Sequence, residues 1–331
     1  MKVMVAGGVF RHSAEELARR QAAPEIVLAE GLRSRGVEVY TSPLEDWPRI
    51  AVSRGCDVVH VHHLSKAALA VALSPRSKPF VFTEHATGRS RFRTRRVAQR
   101  TVLSRASAVV CLSEAEASEK QAAYRLPTSK VNVIRNGIAP PPGTGQPPVR
   151  ETDGRMVLLY VGQLTPWKQV HRAIEALASL PDRFVLRLVY HNDEALEDLR
   201  ARTRALGVTD RVTFVGQLAG AALAEEYRRA HLLLLPSGST EALPSVVTEA
   251  LLQGLPVVAS AIGGVPEQIA DAGILVSPDA GESLIPAITA VAEDYHTYAQ
   301  RALARGAAVA EEYTVDRMIS QHLALYESLS R

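Results

Sequence analysis

Cysteine is nearly absent from this chain: 331 residues hold only Cys56 and Cys111. Each stands in or beside an apolar, strand-like run. They read as buried free thiols of a reducing compartment, which excludes a disulfide framework. Long apolar stretches are missing too, and none reaches the ~18 residues that a spanning helix needs. The opening MKVMVAGG is too short for a signal-peptide core and carries no cleavage pattern. Neither sign of charge is in excess: 38 Lys and Arg stand against 35 Asp and Glu, a formal net charge of +3. So weak a balance gives no support to nucleic-acid binding. Gly7-Gly8 is neither a dinucleotide fingerprint nor a P-loop, which argues against hydride transfer and P-loop ATP hydrolysis. The expectation is a cytoplasmic protein, with peripheral contact at the inner membrane face left open. Its length suits two domains, each burying its own core.

What is present is an alternation of short apolar runs with amphipathic ones. In the first half, strands are predicted at residues 2–6, 37–40, 58–61, 80–83, 108–111 and 131–134, with a long helix over 14–35 ended by Gly36. In the second half they are predicted at 156–161, 184–190, 212–214, 232–235, 256–259 and 274–276. Helices are predicted near 169–180, 194–206, 221–230, 245–253 and 282–293, and two more after Asp294. Apolar strands with amphipathic crossovers mean parallel sheets covered on both faces. Residues 138–155 break the pattern with five prolines and three glycines and read as a connector. The predicted division is a domain at 1–139, a linker at 140–155 and a domain at 156–312. A final helix within 313–331 is expected to pack back on the first domain.

Ligands of such sheets bind beyond the carboxyl ends of the strands. In the first domain that points to Gly7, Gly8, His62, His63, Glu84 and His85. A histidine at a strand end can move a proton or bond a hydroxyl, although a lone one is more often structural. His60 and His62 fall on one strand face and His63 on the other, with no matching Asp/Cys cluster, so no metal site is expected. In the second domain, Lys168 of QLTPWK suits a diphosphate, or simply opens a helix.

Residues 236–260, PSGSTEALPSVVTEALLQGLPVVAS, form a strand–loop–helix–strand unit. Glu241 stands in the loop and Glu249 in the helix, and Pro244-Ser245 mark the helix start. A carboxylate there suits sugar or ribose hydroxyls. The plainer alternative is a pair of surface carboxylates on a crossover helix. In Gly263-Gly264-Val265-Pro266-Glu267 the glycines let backbone approach a ligand or a neighbouring loop, and Pro266 and Glu267 suit a helix first turn. Residues 89–100, RSRFRTRRVAQR, carry six arginines around Phe92. They are either a solvated helix face or a contact for anionic lipid or an anionic acceptor.

In chain order these segments resemble the retaining, nucleotide-sugar-dependent glycosyltransferases of family 4, which have the GT-B fold. The resemblance rests on DVVHVHH at 57–63, TEH at 83–85, CLSE at 111–114, VIRNGI at 133–138, VGQLTPWK at 161–168 and FVG at 214–216. It continues through the whole of 236–260, GGVPE at 263–267, GILV at 273–276 and a final helix with LYESL. It implies an α/β protein with two Rossmann-like domains facing each other across a cleft, the first binding an acceptor and the second the donor.

It also implies roles by position. Glu241 would hold donor-sugar hydroxyls, Glu249 the ribose, and Lys168 the diphosphate and the leaving-group charge. The backbone around Leu243, Pro244, Ser245 and Val246 would assist at the helix start. Gly8 would let its loop approach the diphosphate, and His85 would lie beside the transferred sugar. The base would sit near Gly216, Leu218 and Tyr190–Asn192. Departures are Gln163 where arginine is usual, Ala242 where glycine is usual, and His191-Asn192-Asp193 in place of a glycine-rich loop.

The implied activity is hexosyl transfer with retention from a UDP-sugar, or secondly GDP-mannose, to a small-molecule, lipid or glycan hydroxyl. No metal, other cofactor or nucleic acid is implied. The rivals are a GT-B nucleotide-sugar 2-epimerase or phosphorylase, and a non-catalytic GT-B subunit.

Overall fold

The computed structural model describes residues 1–13, 17, 23–52, 55–74, 78–85, 93–144, 154–238, 241–278 and 284–330. The chain divides into two compact units, Met1–Ala139 with Tyr313–Arg331, and Pro140–Glu312. In both, the most apolar runs became the central strands. VVHVH, FVFT, LLLL and VVAS are buried along their whole length. A strand buried on both faces needs helices on both sides.

The first unit holds β1 (Lys2–Ala6), β2 (Glu38–Ser42), β3 (Val58–His62), β4 (Phe80–Thr83), β5 (Ala108–Cys111) and β6 (Val131–Val133), with α1 (Pro24–Ser34), α2 (Trp47–Val52), α3 (Lys66–Leu73), α4 (Arg93–Arg105) and α5 (Glu114–Tyr124). All strands are parallel, in the order β2-β1-β3-β4-β5-β6. The strand order therefore reverses at β1. One face of the sheet packs Val59, Val61, Phe80 and Phe82 with Val102 and Leu103 of α4; the other packs Val3, Val5, Val58 and Val81 with Leu28 and Leu32 of α1. The predicted helix over 14–35 is described from Pro24, whose fixed φ suits a first helical position. Residues 14–16 and 18–22 lie outside the described residues.

The second unit holds β7 (Met156–Val161), β8 (Phe184–Val189), β9 (Val212–Gly216), β10 (Leu232–Leu235), β11 (Val257–Ser260) and β12 (Gly273–Val276). Between them run α6 (Val170–Ser179), α7 (Leu196–Ala205), α8 (Gly220–Arg229), α9 (Ser245–Leu252), α10 (Val265–Ile269), α11 (Leu284–Glu293) and α12 (Tyr295–Glu312). The order is β12-β11-β10-β7-β8-β9, again parallel, so the reversal falls at β7, between β8 and β10. Helix α13 (Val315–Ser330) belongs to the first unit, where Met318, Ile319 and Tyr326 are buried with Leu28 and Leu32.

Parts of three sequence expectations lie outside the described residues. They are Arg89, Arg91 and Phe92 of the arginine run, 145–153 of the connector, and 239–240 of the 236–260 stretch. The predicted helix start at Glu282 is also outside. The described part of the arginine run opens α4, where Arg93, Arg95 and Arg100 face solvent. Among the described residues no helix is long and apolar enough to cross a membrane.

Candidate active site

An open parallel sheet binds ligands where its strand order reverses, beyond the carboxyl ends. In the second unit that position lies between β7 and β10. Lys168 follows β7 in a short 3-10 turn and Glu241 follows β10 in a loop; the two are 73 residues apart in sequence. The Lys168 ammonium donates to Glu241 Oε1, and Ser237 Oγ donates to the same oxygen at 2.6 Å. Both charged side chains are enclosed, at 11% and 7% exposure, and each compensates charge on the other. The Trp167 ring lies 4.4 Å from Lys168 Nζ and screens it further.

The Glu241 loop is held from behind by the GGVPE segment. The Gly264 N–H donates to the Ala242 carbonyl at 2.8 Å. Gln268, in α10, donates to the Pro244 carbonyl at 3.0 Å and to Thr248 Oγ1 at 2.8 Å. Of the two readings open for Gly263-Gly264, the neighbouring loop is what these glycines meet. Leu243 is buried, Pro244 stands at the N-cap of α9 without a side-chain cap bond of its own, and Ser245 and Val246 form the first turn. One turn further on, Glu249 accepts from Tyr227 Oη of α8 at 2.8 Å. Burial raises the Glu249 carboxyl pKa, and the bonds from Tyr227 and Ser245 only partly oppose this.

The base-side positions meet at the ends of β8 and β9, where the Tyr190 N–H donates to the Gly216 carbonyl at 2.9 Å. Gly216 takes φ +87, and Leu218 follows it, half-buried. Asn192 is engaged in its own loop: its carbonyl accepts from Leu164 N–H at 3.0 Å and its Oδ1 from Glu194 N–H at 3.0 Å. Gln163 Nε2 lies 3.5 Å from His191 Nε2, so the glutamine's neighbour is an imidazole from the next strand end. Arg172 of α6 donates to the Pro278 carbonyl.

In the first unit the reversal at β1 gathers a histidine cluster. His60 and His62 are buried with rings stacked at 4.2 Å. Tyr326 of α13 lies 2.6 Å from His60 Nδ1, and Thr83 Oγ1 lies 2.7 Å from its Nε2. His62 Nδ1 lies 2.8 Å from His85 Nε2. Burial lowers His60 and His62 well below the usual histidine pKa; it drives His85 down to about 4, with the Glu25 carboxylate opposing.

Glu25, in the first turn of α1, was not singled out from the sequence. It is buried and 3.2 Å from His63 Nε2. Burial raises its carboxyl pKa, but His63 and His85 outweigh that, and the net shift is downward. The glycine with a neighbour to clear is Gly7, where a Cβ would stand 3.0 Å from Glu25 Cγ. Among the described residues, Gly8 would meet nothing closer than Leu44 at 3.8 Å.

Residues 146–306 match the family described as glycosyl transferases group 1, and residues 6–140 match glycosyltransferase family 4. The chain is a GT4-like glycosyltransferase. It is 28% identical over 307 residues to D-inositol 3-phosphate glycosyltransferase of Jonesia denitrificans, covering 82% of this chain and 71% of that protein. It spans about half the length, 54%, of several mycobacterial proteins of the same name. Among solved structures, this glycosyltransferase superposes on Anabaena HepE in complex with UDP and glucose (TM-score 0.77, 21% identity, 99% of this chain and 100% of that one). It also superposes on sucrose-phosphate synthase of Thermosynechococcus elongatus (TM-score 0.81, 19% identity, 99% of each chain). Its two parallel sheets with flanking helices are those of the GT-B fold.

Proposed function

We propose that the enzyme transfers a hexosyl group, with retention of anomeric configuration, from a UDP-sugar to an acceptor hydroxyl, with GDP-mannose as second choice of donor. The observation that carries this is the Lys168–Glu241–Ser237 cluster at the order reversal of the second sheet. Lys168 offers the diphosphate a positive charge that grows in value as the leaving group departs. Glu241 accepts hydrogen bonds from hydroxyls of the donor sugar, and Glu249, steadied by Tyr227, accepts from the ribose. Gly216 and Leu218, with Tyr190 and Asn192, are the base side. UDP is favoured because HepE is described in complex with UDP and glucose. No metal is needed for the diphosphate, since Lys168 and backbone N–H groups around Ser245 and Val246 supply the counter-charge.

His85 and the neighbouring side chains of the first unit serve the acceptor. An anionic polyol fits best as its class, because the curated relatives act on an inositol phosphate. The protein works in the cytoplasm; the exposed arginines of α4 make the inner membrane face a second location.

The test is incubation with a panel of nucleotide sugars, with proton NMR of the anomeric signal in the product. Transfer with retention by wild type, lost in Glu241→Ala, is expected. If neither wild type nor Glu241→Ala reacts with any donor and neither binds UDP or GDP, the reading is wrong.

A further inference from the structure

Three potential metal ligands converge at the carboxyl edge of the first unit's sheet from distant parts of the sequence. Glu25 comes from the first turn of α1, His63 follows β3 and His85 follows β4. One carboxylate oxygen and one ring nitrogen of each histidine all lie within 4.8 Å of one another. The Glu25–His63 separation is 3.2 Å, close to the ligand–ligand edge of about 3.3 Å in a tetrahedron with bonds of ~2.0 Å.

Three further features act on the same three side chains. Among the described residues, His62 is buried with its Nε2 unpartnered and its Nδ1 2.8 Å from His85 Nε2, a contact that holds that ring. This is the outer bond that metal-binding histidines characteristically have. His63 takes φ +69, unusual for a residue with a side chain, and its N–H bond to the Thr83 carbonyl at 2.8 Å pins it there. The absent side chain at Gly7 leaves Glu25 its place.

We propose that Glu25, His63 and His85 form a binding site for a divalent transition metal of the Zn2+ type. Two imidazoles disfavour Mg2+ and Ca2+, which take oxygen ligands. The His63 side chain is 42% exposed, so the site opens to solvent on that side. Three protein ligands leave a coordination position there for water, or for a hydroxyl or anionic oxygen of a small molecule. The site lies wholly within the first unit and uses no residue of the second. Sequence reading found the histidines but no acid to match them; the fold supplies one from 38 residues upstream of His63.

The test is calorimetric titration of chelator-treated, dialysed full-length protein with ZnCl2, and a parallel titration with CoCl2 followed by visible absorption. One equivalent per chain is expected, with a cobalt d–d band. Glu25→Gln and His63→Asn should each weaken binding at least about 100-fold, whereas His296→Asn, an exposed histidine of the second unit, should leave it unchanged. Circular dichroism of each variant separates loss of the site from loss of the fold. Absence of stoichiometric binding by folded wild type, or equal binding by the folded Glu25→Gln and His63→Asn proteins, overturns the proposal.

Discussion

Gly263 lies so close behind Glu241 that a Cβ there would stand 1.6 Å from the Glu241 carbonyl oxygen. The backbone of one motif is the seat of the other. Gly263 also takes φ +52, a region that residues with side chains adopt at a cost. Gly263→Ala should therefore displace the Glu241 loop rather than merely strain residue 263. The expected effect is a loss of about 3 kcal/mol or more in denaturant unfolding, with weakened UDP binding. A variant as stable as wild type would show that the loop moves freely.

Removing one partner of the Lys168–Glu241 pair takes the neighbouring counter-charge from a buried charge. Lys168→Met and Glu241→Leu should each cost about 3–5 kcal/mol. The double variant should cost less than the sum of the two, because it removes both charges together. A double-mutant cycle by urea unfolding checks this, and simple additivity would contradict it. Activity should be lost in all three.

Tyr227 touches the carboxylate proposed to hold the ribose. Tyr227→Phe removes one hydrogen bond to a charged group, a loss of about 1.5 kcal/mol, and should raise the donor KM about 10-fold with kcat little changed. A fall in kcat at unchanged KM would place Glu249 in the chemical step instead.

The buried histidines make stability depend on pH. Burial lowers His60, His62, His85 and His322, the last two to about 4, whereas the unfolded chain protonates its histidines near pH 6.5. Above that pH neither state holds these protons and they have no effect. Between about 6.5 and 4 the unfolded state holds more protons, so stability falls as pH falls. Glu25, whose pKa is also depressed, adds a loss in the same direction at the acid end. Each histidine contributes a slope of about 1.4 kcal/mol per pH unit. Urea unfolding from pH 7.5 to 5 should be steeper for wild type than for His322→Gln by about one such slope; equal slopes would mean that His322 protonates in the folded state.

Much of the fold was legible because the signal was local. Runs such as VVHVH and LLLL bury every residue, so they had to be central strands, and the intervening amphipathic stretches had to cross over them. Local signals also placed Lys168 and Glu241 at strand ends. Their pairing depends on strand order, since β7 and β10 are neighbours only because the sheet reverses there. The same limit hid Ser237 and Tyr227 as partners of the two glutamates, and hid Glu25 altogether. A glutamate opening an amphipathic helix looks like a solvated first-turn residue until the order β2-β1-β3 carries it to His63. The glycines of GGVPE were recognisable as a close approach, but whether to ligand or loop was decided only by the position of the Glu241 carbonyl.

The central claim, that the second unit binds a nucleoside diphosphate at Lys168, Glu241 and Glu249, is tested most directly by calorimetric titration with UDP. Wild type should bind one equivalent, GDP should bind more weakly, and Lys168→Met and Glu249→Gln should each weaken UDP at least about 10-fold, the equivalent of one charge-assisted hydrogen bond. Folded wild-type protein that takes up neither nucleotide would contradict the account.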